Sequence, residues 1–365
     1  MDHAERPHNR TIHHARLYPT IFAINRFPDP RIPTPDCCPM PRVLVTPHPL
    51  NQTPGTYSQI LESAGFEIVY PPAGQSLADN AALLARGGFD AMLASVEPLT
   101  RDVLAKAKLR AVARMGVGFD AIDIPAATEL GVAVTITPGT LEESVAEHTI
   151  ALIFGVYRDL VRRDQLVRKG TWVRKAYPRL SGKTLGLVGL GRIGKSVVRR
   201  AQGLGLTVIA HDPYPDVAYA EANGVRLVSL EELLRTADIV SLHLPTTKET
   251  VDIINAKTLA IMKPGSVLVN TARGAMVDEN AIADALRSGH LMGAALDVFK
   301  EEPLPITSPL LEVDNLLLCE HMGGLDEQSQ EAMANLAAQC LADLYQGRWP
   351  ERCVVNRELG TQWKW

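Results

Sequence analysis

Residues 184–212 read TLGLVGLGRIGKSVVRRAQGLGLTVIAHD, and the fold is decided there. The short apolar run Leu185 to Val188 suits a strand buried on both faces. Gly189, Gly191 and Gly194 follow as G-x-G-x-x-G. From Lys195 to Gly203 the apolar residues Val197, Val198 and Ala201 recur at helical spacing. A second apolar run, Thr207 to Ala210, ends in His211 and Asp212. Strand, glycine turn, helix, strand and acid in this order describe a dinucleotide-binding βαβ unit. Gly189 permits the tight turn, Gly191 lets backbone approach a pyrophosphate, and Gly194 lets helix and strand pack closely. The free N–H groups and positive dipole end at the helix start favour the phosphates. Asp212 is placed to accept hydrogen bonds from the adenosine ribose hydroxyls.

Working outward, 365 residues suggest two domains. Hydrophobic residues make up 46% and charged residues 21%, the balance of a globular protein with a substantial core. A net charge of -4 and a pI near 6.2 argue against a general nucleic-acid binder. No apolar run approaches the roughly 20 residues that span a bilayer. The five cysteines include no C-x-x-C, and Cys37 and Cys38 are adjacent, so a reducing cytoplasm is expected rather than a disulfide framework. Cys319 reads as a small residue of an apolar run, and no metal site is expected.

Residues 1–39 differ from the rest. They hold His3, His8, His13 and His14 with many prolines and no steady periodicity, and are expected to form a disordered extension before Met40. From Pro41 strands and helices alternate: strands near 42–46, 67–70, 91–94, 111–114 and 132–136, with helices near 53–64, 76–86 and 101–107. Leu141 to Arg168 reads as one long, mostly helical connection, with Glu142 and Glu143 suited to its first turn. After Asp212 the alternation resumes, with strands near 239–244, 266–270, 293–298 and 315–319. Helices are expected near 230–236, 258–262 and 279–287, and a closing helix at 326–345.

In open parallel sheets ligands bind beyond the carboxyl ends of the strands. Three such ends carry reactive types: Thr271, Ala272 and Arg273; Asp297 with Glu301 and Glu302; and Glu320, His321, Gly323 and Gly324. An arginine, a carboxylate and a histidine could therefore converge on one crevice.

Here the chain resembles the D-isomer-specific 2-hydroxyacid dehydrogenases. The resemblance is carried by GLVGLGRIG, LLRTADIVSLHLPTTKET, MKPGSVLVNTARGAMVDE, ALDVFKEEP and EHMGG, with RMGVGFDAID and SVAEHT upstream. It implies two Rossmann-like or flavodoxin-like domains with doubly wound parallel sheets and an active-site cleft between them. Residues 40–141 plus 322–365 would form the substrate domain and 142–321 the NAD-binding domain. It implies Arg273, Glu302 and His321 as the catalytic triad: on a 2-oxoacid, a carboxylate beside a ketone, Arg273 would supply forked donors for both, and His321 would exchange the proton while Glu302 favours its imidazolium and fixes the ring. Gly189, Gly191, Arg192, Ile193, Gly194, Asp212, Pro245, Thr250, Thr271, Ala272, Asp297, Gly323 and Gly324 would be cofactor positions. Ser95, Val117, Gly118 and Arg273 would be substrate positions. Asp297 would face the nicotinamide carboxamide. It also implies a homodimer, and a small 2-oxoacid or 2-hydroxyacid as the only other partner.

Asp212 would repel a 2′-phosphate, and Pro213, Tyr214 and Pro215 offer no cation, so NAD is expected over NADP. The chain departs from the family pattern in four places. The loop Leu93-Ala94-Ser95-Val96-Glu97 lacks the arginine common in members that bind phosphorylated substrates, which counts against phosphoglycerate. Glu320 stands where Pro is usual. Leu141 and Ala121 stand where Asn is common. The expected reaction is hydride transfer between NAD and a D-2-hydroxyacid/2-oxoacid pair. Glyoxylate or hydroxypyruvate reduction and phosphoglycerate oxidation are the alternatives within the class, and a corepressor-like NAD(H)-sensing protein is the alternative outside it. With few residues after Asn356, no regulatory domain is expected.

Overall fold

The computed structural model describes residues 40–365; the expectation for residues 1–39 lies outside them. The first lobe alternates β1 (Arg42–Val45), α1 (Thr56–Ser63), β2 (Glu67–Val69), α2 (Leu77–Ala85), β3 (Ala91–Ala94), α3 (Arg101–Ala107), β4 (Ala111–Arg114), α4 (Ile124–Glu129) and β5 (Ala133–Thr135). Its strands are all parallel, in the order β2-β1-β3-β4-β5. The sheet is buried on both faces. In β3, Ala91 and Leu93 enter one apolar cluster while Met92 and Ala94 enter the other. Such a strand reads as an unbroken apolar run rather than an alternation.

Two helices lead to the second lobe, α5 (Glu142–Tyr157) and α6 (Leu160–Arg168). The single long helix expected over 141–168 is therefore two. The break falls at Asp159, which takes a left-handed conformation (φ 52°) and accepts a 2.5 Å hydrogen bond from the Tyr177 hydroxyl. No glycine or proline marks that break in the sequence.

The second lobe runs β6 (Thr184–Val188), α7 (Arg192–Gly203), β7 (Thr207–His211), α8 (Val217–Ala222), β8 (Arg226–Leu227), α9 (Leu230–Thr236), β9 (Ile239–Leu242), α10 (Ala256–Ile261), β10 (Ser266–Asn270), α11 (Glu279–Arg287), β11 (Leu291–Leu296) and β12 (Leu316–Leu318). Its seven strands are parallel, in the order β12-β11-β10-β9-β6-β7-β8. The chain reverses direction across the sheet between β6 and β9, and at that switch point the loops after both strands part to leave a crevice. The same reversal lies between β1 and β3 in the smaller sheet.

The closing helix α12 (Glu327–Tyr345) returns to the first lobe and packs on α1 and β4. Asp326 caps it, its Oδ1 accepting from the Ser329 N–H at 2.7 Å. Beyond α12, the wholly buried Asn356 side chain pairs with the edge of β5, accepting from Val134 N and donating to Val132 O.

Candidate active site

The glycine turn follows β6. Gly189 has φ +109°, and a Cβ there would lie 2.7 Å from the His243 carbonyl of the neighbouring strand end. A Cβ at Gly194 would lie 2.5 Å from the Gly189 oxygen, so the turn and α7 meet with no room for a side chain. No side chain caps α7, which leaves the N–H groups of its first turn for an anion. Asp212 sits just beyond β7. Its Oδ2 accepts from Leu190 N and its Oδ1 from Tyr214 N, both at 2.8 Å. The acid thus braces the glycine turn, a role the sequence does not announce. Glycine loop, open helix start and acid together fit a dinucleotide with an unphosphorylated ribose.

A cavity of about 970 Å³ opens beside this turn. Ile193, Pro245, Thr271, Ala272, Arg273, Asp297, Glu302, His321, Gly323 and Gly324 line it, with Ser95, Val117 and Gly118 from the first lobe. Arg273 and His321, from strand ends far apart in sequence, therefore share one wall. Thr250 is elsewhere: it is buried behind the loop, donating to Pro245 O and accepting from Thr247 N. Its hydroxyl braces Pro245, which lines the cavity. Gly189, Gly191, Arg192, Gly194 and Asp212 do not line it.

Arg273 is presented by the turn after β10. The buried Asn270 shapes that turn, accepting from Ala272 N and donating to Arg273 O. Arg273 Nε donates to Asp120 at 2.7 Å, and its guanidinium lies over Gly118, where any Cβ would overlap it. His321 follows β12 in a left-handed conformation (φ 61°). Its Nδ1 is 2.8 Å from Glu302 Oε2, while Glu302 Oε1 accepts from Phe299 N. Burial alone would raise the Glu302 carboxyl, but the hydrogen bond and charge of His321 outweigh it and hold the acid below its usual range. Glu301 and Glu320 are exposed.

Behind this pair lies Asp297, almost wholly buried. It accepts from Met322 N and Gly323 N and bonds His148 Nε2 at 3.1 Å, fastening the segment after His321 to α5. The Asp297 hydrogen bond, helped by the Cys319 sulfur, lifts the His148 imidazole to about 9 against the opposing effect of burial. The ligand atoms of His148, Asp297 and Cys319 all lie within 4.8 Å of one another. The carboxylate already serves three donors, so the cluster acts as a hydrogen-bonded brace. One helical step on, Thr149 meets Thr271 at 3.0 Å. His148, Asn270 and Asp120 were not singled out from the sequence. His148 stands inside SVAEHT, the one visible hint of its importance.

His243 also lines the cavity. Burial pushes its imidazole down to about 4, so the ring is neutral, and its Nε2 meets Ser241 Oγ at 2.9 Å.

Residues 150–323 match the family model described as D-isomer specific 2-hydroxyacid dehydrogenase, NAD binding domain. The D-3-phosphoglycerate dehydrogenase of Methanocaldococcus jannaschii is 42% identical over 262 residues, 71% of this chain, which spans 50% of that longer protein. The glyoxylate reductase of Aeropyrum pernix is 39% identical over 329 residues, 87% of this chain and 97% of that one. Among solved structures, the D-lactate dehydrogenase of Aquifex aeolicus, complexed with NAD and lactic acid, superposes with a TM-score of 0.75 at 28% identity, covering 86% of this chain and 99% of that one. Sheet order, glycine turn and this likeness along nearly the whole of one relative agree, and the chain belongs to the D-isomer specific 2-hydroxyacid dehydrogenases.

Proposed function

We propose that this NAD-dependent D-2-hydroxyacid dehydrogenase works through Arg273, Glu302 and His321. The observation that carries this reading is that a guanidinium and a carboxylate-paired imidazole line one cavity beside the glycine turn. NADH held by Gly189 to Gly194 and Asp212 would supply the hydride. Arg273 exchanges its bond with Asp120 for the substrate carboxylate and draws electron density from the ketone oxygen. His321 carries the proton on Nε2 and releases it to that oxygen. Glu302 holds Nδ1–H, fixing the ring and stabilising its charged form. In the oxidative direction the same atoms run in reverse.

The names of the relatives, glyoxylate reductase and D-3-phosphoglycerate dehydrogenase, keep glyoxylate and phosphoglycerate chemistry within range. Turnover of NADH with a panel of 2-oxoacids, including phosphohydroxypyruvate, tests the reading. Bound NADH with no turnover across the panel would instead favour a cofactor-sensing protein.

We read residues 40–141 with 322–365 as the substrate domain and 142–321 as the NAD-binding domain. The packing of α12 on α1 and of Asn356 on β5 supports that division. A homodimer is proposed through the α5–α6 region. No residue of α6 is buried, and Leu160, Val161, Val167 and the following Trp172 are all at least half exposed. Sedimentation at the monomer mass would overturn it. No helix among the described residues is long and apolar enough to cross a membrane. The free thiols of Cys319, Cys340 and Cys353 support a reducing cytoplasm as the site of action.

A further inference from the structure

The carboxyl edge of the smaller sheet forms the part of the cavity away from the glycine turn, and its chemistry is not that of an anion site. Leu77, Val96 and Phe119 line it there, and Leu311 and Leu325 line the same cavity. Each is 37% to 46% exposed, so five of the large apolar side chains left open to solvent converge on one cavity. Scattered exposed apolar residues need no explanation, but a contiguous group lining a cleft marks a binding surface.

The charges point the same way. The cations lining the cavity are Arg114 and Arg273, whose guanidinium groups lie over Gly116 and Gly118 of one loop, and no lysine joins them. Against them stand Asp120 on Arg273, Glu302 on His321, the buried Asp297 and the exposed Glu320. Glu97 adds a fifth acid. It is 1% exposed and sits behind the wall, accepting from Ser95 N and Asn80 Nδ2. Its charge, with that of Asp120, offsets Arg114, whose guanidinium burial and Arg273 push down to about 10. Two lining cations against five carboxylates leave His48, His243 and His321 as the lining groups able to add positive charge, with His148 paired to Asp297 behind the wall, and His243 is neutral. Arg273 suffices for one carboxylate. A phosphate would bring a further charge of about −1.5 to −2, with no uncompensated partner.

From this juxtaposition we infer that the substrate is a 2-oxo monocarboxylate with a branched aliphatic side chain, its carboxylate on Arg273 and its side chain against Leu77, Val96 and Phe119. The inference rests on the dehydrogenase reading above and narrows it.

The test is steady-state NADH oxidation by the full chain with 4-methyl-2-oxopentanoate, pyruvate, glyoxylate, hydroxypyruvate and phosphohydroxypyruvate. The branched substrate should exceed pyruvate and glyoxylate in kcat/KM by at least about tenfold, the scale of discrimination that methylene groups give in an apolar pocket. Phe119→Ala should raise KM for the branched substrate about tenfold and so lower the ratio of its kcat/KM to that for pyruvate. A change that merely loosened the fold would lower both alike. Val96→Arg should lower use of the branched substrate and raise that of phosphohydroxypyruvate. Higher kcat/KM for phosphohydroxypyruvate or glyoxylate than for the branched acid in the wild type would overturn the inference and leave the dehydrogenase reading standing. No turnover with any of the five would overturn both.

Discussion

The two sheets present opposite kinds of edge to the same cavity. Along the seven-stranded sheet, each side chain with a proposed chemical task is held by backbone or by a second polar group: Asp212 by Leu190 and Tyr214, Asp297 by Met322 and Gly323, Glu302 by Phe299. Along the five-stranded sheet the edge is mostly apolar, and its polar groups, Arg114 with Glu97 and Asp120 on Arg273, largely cancel one another. The difference separates two tasks. A proton relay and a cofactor cradle need atoms fixed to within a fraction of an ångström, which hydrogen bonds to rigid strand ends provide. Choice of side chain needs only shape and apolar area, which loops on a second sheet can vary without disturbing the chemistry.

Substitutions on the larger sheet should therefore be the costly ones. Arg273→Ala is expected to lower kcat/KM by about three orders of magnitude with NADH affinity preserved. Steady-state kinetics with fluorescence titration checks it, and wild-type turnover would show that the guanidinium does not meet the substrate. Asp212→Ser removes a charged acceptor worth about 1.5–3 kcal/mol, so NADH should bind roughly ten- to a hundredfold more weakly. The preference over NADPH should shrink as well. An unchanged ratio of the two affinities would contradict the ribose assignment.

The smallest expected effect concerns stability and has a defined sign. The folded His148 titrates at about 9, above its ordinary 6.5. Its bond to Asp297 therefore contributes fully below about pH 6.5 and is lost as pH rises through about 9. The contribution is at most about 3 kcal/mol. The gap in Tm between wild type and His148→Asn should be widest near about pH 6 and close towards about pH 10. A gap independent of pH would mean that the pair is not ionic.

How far each region can be read from the sequence follows from the range of its interactions. The glycine turn, the buried strands and Asp212 were legible because their signals are local: φ-permissive glycines, short apolar runs, an acid at a strand end. So were the positions of Arg273, Glu302 and His321, through motif order and strand topology. The helices α4 and α8 were missed although Asp123 and Asp216 cap them, because six residues carry too little periodicity to show. The break at Asp159 depends on Tyr177, 18 residues away, and the brace on Asp297 depends on His148, 149 residues away. Thr250 carries a motif signal yet turns inward, since its hydroxyl completes the loop that holds Pro245. The apolar edge of the smaller sheet was the least legible, because exposed and cavity-lining leucines look alike in a sequence.

The most direct test of the proton relay is single-turnover oxidation of bound NADH by a saturating 2-oxoacid in wild type and His321→Ala, with NADH affinity measured on the same samples. The account predicts a rate at least about a hundredfold lower in the variant with the affinity nearly unchanged. Equal rates in the two proteins would contradict it.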